Sequence, residues 1–273
     1  MTVSDILRRD HVTDHVAVPM EVVGLAKRYG DQRVLADISF QVHAGEVLGL
    51  IGPNGAGKTT LLEAIAGLLP VDRGEVRWRG ASLPLPKRRE VMFYLPDGLR
   101  PWDDQHVASV VALFASVYGR PDNSVAQTIH ALGLAPILRK RVLALSKGYA
   151  RRLMLALALL TPHPVLLMDE PFDGFDLRQT RDIMRLLRDV AGRGRTLVLA
   201  IHQLLDAERV CDRFVLLADG RLRGVGTLGE LRAQAPLPNP PPHSVSKTRV
   251  DALMLGEGRV GAAGLEDVFL ALT

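Results

Sequence analysis

The amino-acid sequence predicts an α/β fold in which helices cover both faces of a mostly parallel sheet. Short apolar runs at Val47–Ile51, 165–168 and Thr196–Ile201 are typical of strands that are buried on both faces. Segments with helical periodicity separate them, at residues 58–68 and from about 177 to 191. Buried strands that alternate with helices indicate parallel pairing, because a parallel neighbour needs a long crossover connection.

Composition is that of an ordinary globular protein of mildly basic charge. Of 273 residues, 47% are hydrophobic and 23% charged, with a net charge of +4. This charge suits either anionic ligands or an anionic membrane surface. Cys211 is the only cysteine, so no intramolecular disulfide can form and a reducing compartment fits. Residues 1–15 are polar, so no secretory signal is expected.

Four segments are predicted along the chain. They are an N-terminal extension (1–17), a main domain (18–235) that contains a helical subdomain at about 98–160, a proline-rich linker (236–248), and a C-terminal appendage (249–273) with an apolar turn at 268–270. The longest apolar run, 153–160, is well short of the roughly 20 residues that span a bilayer. If the protein acts at a membrane, we expect another chain to cross it.

Residues 52–59 match the phosphate-binding P-loop pattern G-x-x-x-x-G-K-[ST] in full, between a predicted strand and a predicted helix. Glycines permit positive φ, so successive N–H groups can point at phosphate oxygens. Lys58 is expected to reach the β- and γ-phosphates, and the Thr59 hydroxyl to bind Mg²⁺. The alternative is a glycine-rich turn without a ligand. The predicted nucleotide-binding residues here are Gly52, Pro53, Asn54, Gly55, Ala56, Gly57, Lys58, Thr59 and Thr60.

The apolar run at 165–168 is followed by Asp169 and Glu170. A buried strand cannot hide two charges, so both carboxylates are expected at its carboxyl edge, where open α/β sheets bind ligands. Asp169 is predicted to hold Mg²⁺, and Glu170 to polarise the water that attacks the γ-phosphate. An apolar strand that ends in Asp-Glu without any function is the alternative, and the P-loop upstream argues against it.

The segment Leu145-Ser146-Lys147-Gly148-Tyr149 makes a family resemblance specific. With it, the sequence resembles the nucleotide-binding domain of ATP-binding cassette (ABC) proteins, in which a signature sequence contacts the γ-phosphate held by the opposite subunit. The more usual signature has glycine at the position of Lys147 and glutamine at that of Tyr149. Ser146, Gly148 and the following helix N-terminus still form an anion site. A helix N-cap at Ser146 is the alternative.

The resemblance assigns further roles in chain order. It implies that Tyr29 stacks on adenine, that Asp176 crosses to the partner subunit, and that His202 contacts the γ-phosphate. Asp97 stands where the family has the Q-loop glutamine, which contacts Mg²⁺ and couples the site to the membrane domain. Asp97 is therefore either a magnesium ligand or part of a turn.

The resemblance covers about residues 18–230 and implies a RecA-like P-loop NTPase core, an antiparallel β subdomain and a helical signature subdomain. It implies ATP and Mg²⁺ as cofactors, and a homodimer or a heterodimer with a second ATPase subunit. It further implies a separate integral membrane permease, reached from the cytoplasmic face of the membrane. Residues 265–273 resemble the ending of subunits that serve ABC-2 exporters, which suggests export.

Two other classes of protein compete with the transporter subunit. A soluble cassette ATPase that acts on nucleic acid or ribosomes usually has two cassettes or long insertions, whereas only 88 positions separate Lys58 from Ser146. The basic clusters 87–89 and 139–141 keep that alternative open, although such runs are mostly solvated faces and no nucleic-acid partner is expected. A small-molecule P-loop kinase leaves the signature and His202 without a role.

Overall fold

The structure is a computed structural model that describes residues 19–235 and 264–273. The predicted extension at 1–17, the predicted linker at 236–248 and most of the appendage lie outside the described residues.

The strands belong to two sheets. In chain order they are β1 (Met20–Tyr29), β2 (Gln32–Val42), β3 (Val47–Ile51), β4 (Arg73–Trp78), β5 (Ala81–Ser82), β6 (Met92–Leu95), β7 (Val165–Asp169), β8 (Thr196–Ile201), β9 (Arg213–Ala218) and β10 (Arg221–Gly226). One sheet has the order β2-β1-β4-β5 and is antiparallel; the other has the order β10-β9-β3-β8-β7-β6. All pairs in the larger sheet are parallel except β9 with β10, so the predicted core sheet and antiparallel subdomain are confirmed.

Helices connect these strands. They are α1 (Lys58–Ala66), α2 (Leu85–Val91), α3 (Val107–Val117), α4 (Asp122–Ala131), α5 (Lys147–Leu160), α6 (Leu177–Gly192), α7 (Leu204–Val210), α8 (Leu228–Gln234) and α9 (Leu265–Leu272). Two 3₁₀ turns, Ala135–Ile137 and Val142–Ala144, lead into α5. Among residues 19–235 and 264–273, no helix has the length and apolar character needed to cross a membrane.

The central strands are buried because both faces of the sheet are covered. Every residue of β3, β7 and β8 is buried. Successive residues of a strand point to opposite faces, so Leu50 and Leu167 join one apolar core while Ile51 and Met168 join the other. This explains why the sequence shows continuous apolar runs here instead of alternation.

Gly49 in β3 leaves room for a side chain from a neighbouring loop. A Cβ atom at position 49 would lie 2.8 Å from the sulfur of Cys211. Burial raises the pKa of the Cys211 thiol. The absence of a side chain at Gly49 therefore lets the sulfur pack directly against the sheet.

Two local elements were not predicted from the sequence, helix α2 and strand β6. Residues 83–86 lead into α2, because proline is compatible with the first turn of a helix. The signature helix begins at Lys147, directly after its N-cap Ser146.

The predicted apolar turn at 268–270 is part of helix α9. This helix packs on α7 and α8, with Leu265 and Val268 fully buried. The N–H group of Leu265 donates to the Glu208 carboxylate of α7. The end of the chain is thereby attached to the helix that follows His202.

Candidate functional site

A cavity of about 650 Å³ lies at the carboxyl edge of β3 and β7. The structure brings together here most of the predicted P-loop, both acidic residues and Asp97. The lining also includes residues that were not predicted, from the start of β2 and from the turn between β9 and β10. Its described lining residues are Gln32, Arg33, Val34, Asn54, Gly55, Gly57, Lys58, Thr59, Thr60, Asp97, Asp169, Glu170, Asp219 and Gly220.

The P-loop is shaped by glycines that approach other backbone closely. A Cβ atom at Gly52 would lie 2.4 Å from the carbonyl oxygen of Leu217. Gly57 has φ +99°, and a Cβ there would lie 2.8 Å from the carbonyl oxygen of Val34. These contacts are closer than any side chain allows, so both positions require glycine.

Lys58 lies inside the loop that it follows. Its ammonium group donates to the carbonyl oxygens of Gly52 at 2.7 Å and Pro53 at 3.2 Å. Burial lowers the pKa of Lys58, while the charges of Glu170 and Asp169 raise it. The ammonium group is therefore partly desolvated and faces the cavity, which suits an anionic ligand.

Asp169 is a buried carboxylate at the end of β7. The hydroxyl of Thr59 donates to its Oδ2 at 2.6 Å. Burial raises the pKa of Asp169 and the charge of Asp97 raises it further, whereas the bond from Thr59 and the charges of Lys58 and Arg151 lower it. A hydroxyl and a partly uncompensated carboxylate beside a phosphate-binding loop fit a Mg²⁺ ion, which proteins bind through few carboxylates together with substrate phosphates.

Glu170 and His202 form a pair across neighbouring strand ends. His202 Nδ1 lies 2.5 Å from Glu170 Oε2. Glu170 has φ +48°, a left-handed conformation that is uncommon for a residue other than glycine. The carboxylate is mostly buried, while the His202 side chain is 46% exposed. The two residues that were predicted to act on the γ-phosphate thus contact each other at the cavity edge.

The predicted signature residues lie away from this cavity. Ser146 is exposed and is the N-cap of α5, where its hydroxyl accepts from the N–H group of Tyr149 at 3.4 Å. Neither Ser146 nor Gly148 is among the described residues that line the P-loop cavity. The N-cap alternative and an interface role are compatible, since the cap leaves other N–H groups of the first turn unpaired.

The unusual Lys147 of the signature has a partner. Its ammonium group lies 2.7 Å from Asp173 Oδ2, and this lysine lowers the pKa of Asp173. The lysine stem crosses Gly174, where an added Cβ would lie 3.0 Å from Lys147 Cγ. Lysine at this position therefore connects the signature to the loop after β7 within one chain.

Two further predicted residues also lie outside the described cavity lining. Tyr29 ends β1 with half of its surface exposed, and the ammonium group of Lys27 lies 5.3 Å from its ring centroid. Asp176 is the N-cap of α6, where its Oδ1 accepts from the N–H group of Gln179 at 2.8 Å. Their roles toward adenine and toward a partner subunit remain predictions.

The basic cluster at 87–89 is not a continuous cationic surface. Arg88 is buried and donates to the carbonyl oxygens of Leu83, at 3.1 Å, and of Ala64. The guanidinium of Arg88 is therefore bonded inside the protein and is not accessible to nucleic-acid phosphates.

Arg151 is a site residue that the sequence did not reveal. It lies on α5, is only 6% exposed, and its guanidinium contacts Asp97 and the backbone of Glu170. Arg151 and Arg152 stand together before an apolar run that begins at Leu153, and their spacing alone does not indicate which of the two is buried. A buried arginine must be paired, but the sequence does not indicate with which residue.

A P-loop at the carboxyl edge of a parallel sheet, opposite a strand that ends in two carboxylates, defines a P-loop NTPase fold. Comparison with known proteins gives the family. The family profile described as "ABC transporter" matches residues 35–173, about half of the chain. The chain belongs to the ABC transporter family, as an ATP-binding subunit that hydrolyses ATP.

Individual relatives agree with this assignment. The Nod factor export ATP-binding protein I of Burkholderia lata is 37% identical over 214 residues, which cover 74% of this chain and 69% of that protein. An aliphatic sulfonates import ATP-binding protein of Burkholderia cenocepacia is 35% identical over 208 residues, with 76% of each chain covered. A solved structure of the ATP-binding subunit of an ABC transporter superposes with a TM-score of 0.76 at 29% identity, covering 93% of this chain and 99% of that one.

Proposed function

We propose that this subunit closes as a dimer around two molecules of Mg-ATP and thereby drives a separate membrane-spanning permease in export. One observation supports the proposed dimer. Lys58, Asp169 and Glu170 face one cavity, whereas Ser146 is exposed outside the described lining of that cavity. A hydroxyl beside the N-terminus of a 14-residue helix suits an anion. In our proposal, Ser146 and Gly148 of one chain complete the site of the other.

Within each site, different residues of the chain bind the phosphates and the Mg²⁺ ion. The P-loop N–H groups bind the phosphates. The ammonium group of Lys58, which donates to the carbonyl oxygens of Gly52 and Pro53, donates to phosphate oxygens instead when nucleotide binds. Thr59 and Asp169 would hold Mg²⁺, which neutralises charge on the β- and γ-phosphate oxygens when bound.

The proposed hydrolytic step uses the pair at the strand ends. Glu170 orients the attacking water and accepts its proton. His202, 2.5 Å from Glu170, holds the carboxylate in position and contacts the γ-phosphate with its exposed edge. Because ATP shifts the open–closed equilibrium only if it binds the closed state better, the contacts from Ser146 of the second chain supply the driving force for closure.

Attachment to a permease requires an accessible surface on the helical part of the chain. Trp102 and Leu113 are 53% and 47% exposed and line a groove of about 310 Å³ beside α3. Exposed apolar side chains that lie together commonly mark an interaction site. We propose that a cytoplasmic helix of the permease docks here, which would place the subunit at the cytoplasmic face of the membrane.

Export is supported by the C-terminal segment, which resembles that of ABC-2 exporter subunits, and by similarity to a Nod factor export protein. Similarity to a sulfonate import protein makes a direct test necessary. Purifying the subunit with its permease from solubilised membranes is expected to yield no solute-binding protein. Recovery of such a protein in stoichiometric amount would contradict export.

The dimer is tested with Glu170→Gln, which should retain Mg-ATP. Light scattering of this variant is expected to detect a dimer only with Mg-ATP, either alone or with the ATPase subunit that copurifies. Adding Ser146→Asp should prevent dimerisation without loss of nucleotide binding, because aspartate caps a helix as well as serine but repels the γ-phosphate. A strictly monomeric Glu170→Gln variant with bound Mg-ATP would overturn the proposal.

A further inference from the structure

The side chain of Arg151 connects three parts of the site. Its Nη2 donates to Asp97 Oδ1 at 2.8 Å, to the carbonyl oxygen of Asp169 at 3.1 Å and to that of Glu170. Its Nη1 donates to the carbonyl oxygen of Pro96 at 3.4 Å. One guanidinium therefore joins α5 to the loop after β6 and to the end of β7.

The backbone of Glu170 has a conformation that needs such support. A left-handed φ of +48° is sparsely populated for a glutamate and persists only where surrounding contacts fix it. The N–H group of Glu170 donates to the carbonyl oxygen of Ala200 at 3.0 Å. Its carbonyl oxygen accepts from Arg151 and, at 3.2 Å, from the N–H group of Asp173. This turn directs the Glu170 side chain toward His202.

Asp97 supplies the counter-charge for Arg151. The guanidinium is 6% exposed, and Asp97 is the carboxylate whose side chain pairs with it; the other bonded acceptors are backbone carbonyls. A buried charge that loses the carboxylate hydrogen-bonded to it is strongly destabilised where it lies. A neutral side chain at position 97 would therefore weaken the placement of Arg151 and, with it, the support for Glu170.

We propose that Asp97 and Arg151 act together as positioning residues that hold Glu170 in its left-handed conformation for hydrolysis. This inference rests on the proposed role of Glu170 in hydrolysis. It assigns Asp97 to the guanidinium and not to Mg²⁺, so it replaces the magnesium role expected from its position in the sequence. The pair acts on the turnover number, because it contacts the backbone behind the general base and leaves the P-loop contacts unchanged.

The test compares Asp97→Asn, Arg151→Gln and the double variant in steady-state ATP hydrolysis by the full-length chain. Each single variant is expected to lower kcat by roughly 10- to 100-fold, since a small misplacement of a reacting group is costly. The double variant should be no slower than the slower single variant, because the two residues act as one unit. KM for Mg-ATP and the half-saturating Mg²⁺ concentration should stay within about twofold of wild type.

A matched control removes an arginine–aspartate pair elsewhere. Asp182 and Arg185 on α6 lie 3.1 Å apart and are 55% and 76% exposed. Asp182→Asn and Arg185→Gln should leave kcat unchanged. Should Arg151→Gln fail to fold, Asp97→Asn carries the test, because the Asp97 side chain is half exposed.

Hydrogen exchange provides a readout that does not depend on turnover. In the nucleotide-free protein, both single site variants should speed exchange of the Glu170 amide by more than their loss of global unfolding free energy accounts for. If Asp97→Asn instead raises the half-saturating Mg²⁺ concentration about tenfold and leaves the Glu170 amide protected, Asp97 is a metal ligand and the inference is wrong. Multiplicative losses of kcat in the double variant would also overturn it. A Glu170→Gln variant with wild-type turnover would instead refute the role of Glu170.

Discussion

His202 Nδ1 lies 2.5 Å from Glu170 Oε2, so the ends of β8 and β7 present an imidazole and a carboxylate as one unit. A hydrogen bond between these two atoms fixes the orientation of the imidazole ring relative to the carboxylate. The order of the two residues along the chain gave no indication of this contact. The proposed general base is thus oriented by a neighbour within the same chain.

Glu170→Gln is expected to reduce ATP hydrolysis by about 100-fold or more, because an amide cannot accept the proton of the attacking water. Nucleotide binding should remain, since the P-loop is unchanged. Steady-state phosphate release and equilibrium binding of a fluorescent ATP analogue measure the two properties. Glu90→Gln, an exposed change of the same type, should behave as wild type. Loss of binding together with hydrolysis would argue against the assigned role.

Gly52→Ala should disrupt the P-loop. The new methyl group would lie 2.4 Å from the carbonyl oxygen of Leu217, so the loop or β9 must move, at a cost of about 1–3 kcal/mol in unfolding free energy. ATP affinity should fall as well. Gly192→Ala is the control: an added Cβ there meets no atom within 4 Å, and alanine at this helical position should stabilise the fold by roughly 0.5–1 kcal/mol. Urea denaturation and ATP titration measure both variants.

His163 should make the fold sensitive to acid. Its Nε2 lies 2.9 Å from the carbonyl oxygen of Arg89, and its Nδ1 is buried without a hydrogen-bond partner among the described residues. Burial lowers the pKa of His163, and the charges of Arg195 and Arg120 lower it further, against a rise from the Arg89 bond. The unfolded chain therefore binds the proton more readily than the folded one between the lowered pKa and the ordinary value of 6.5.

Unfolding free energy is accordingly expected to fall as pH drops below about 6.5 toward the lowered pKa of His163. His163→Gln, which keeps a donor near the Arg89 carbonyl, should flatten this part of the profile. Urea midpoints at several pH values measure it, with the exposed His130→Gln as control. An identical slope in His163→Gln and wild type would show that other groups cause the acid sensitivity.

Leu265→Ala should weaken the attachment of α9. The side chain is fully buried against the body of the domain, so its truncation is expected to cost about 2–5 kcal/mol of unfolding free energy. Leu270→Ala on the same helix removes a side chain that is 70% exposed and should change stability by no more than about 0.5 kcal/mol. Equal effects of the two variants in urea denaturation would contradict the packing described for α9.

The features that the sequence predicted are those with a local pattern. Strands β3, β7 and β8 are continuous apolar runs, and the P-loop is a fixed spacing of glycines before Lys58, so neighbours along the chain suffice to identify them.

The features that were missed depend on contacts distant in sequence. Arg151 meets Asp97 and Glu170 only because α5 crosses the end of β7, which no local pattern encodes. Helix α9 has eight residues, too few to be stable alone, and it forms by packing its apolar side on α7 and α8. The Lys147–Asp173 pair likewise joins positions 26 residues apart.

The sulfur that packs against Gly49 has a practical consequence for spectroscopy. Cys211 is the chain's single native thiol, and its raised pKa keeps it protonated, so maleimides and nitroxide reagents should react with it slowly. A cysteine placed at an exposed position would then take a probe selectively, without a cysteine-free background having to be engineered first. Spin labels at one such position would report the distance between two chains as nucleotide is added and consumed.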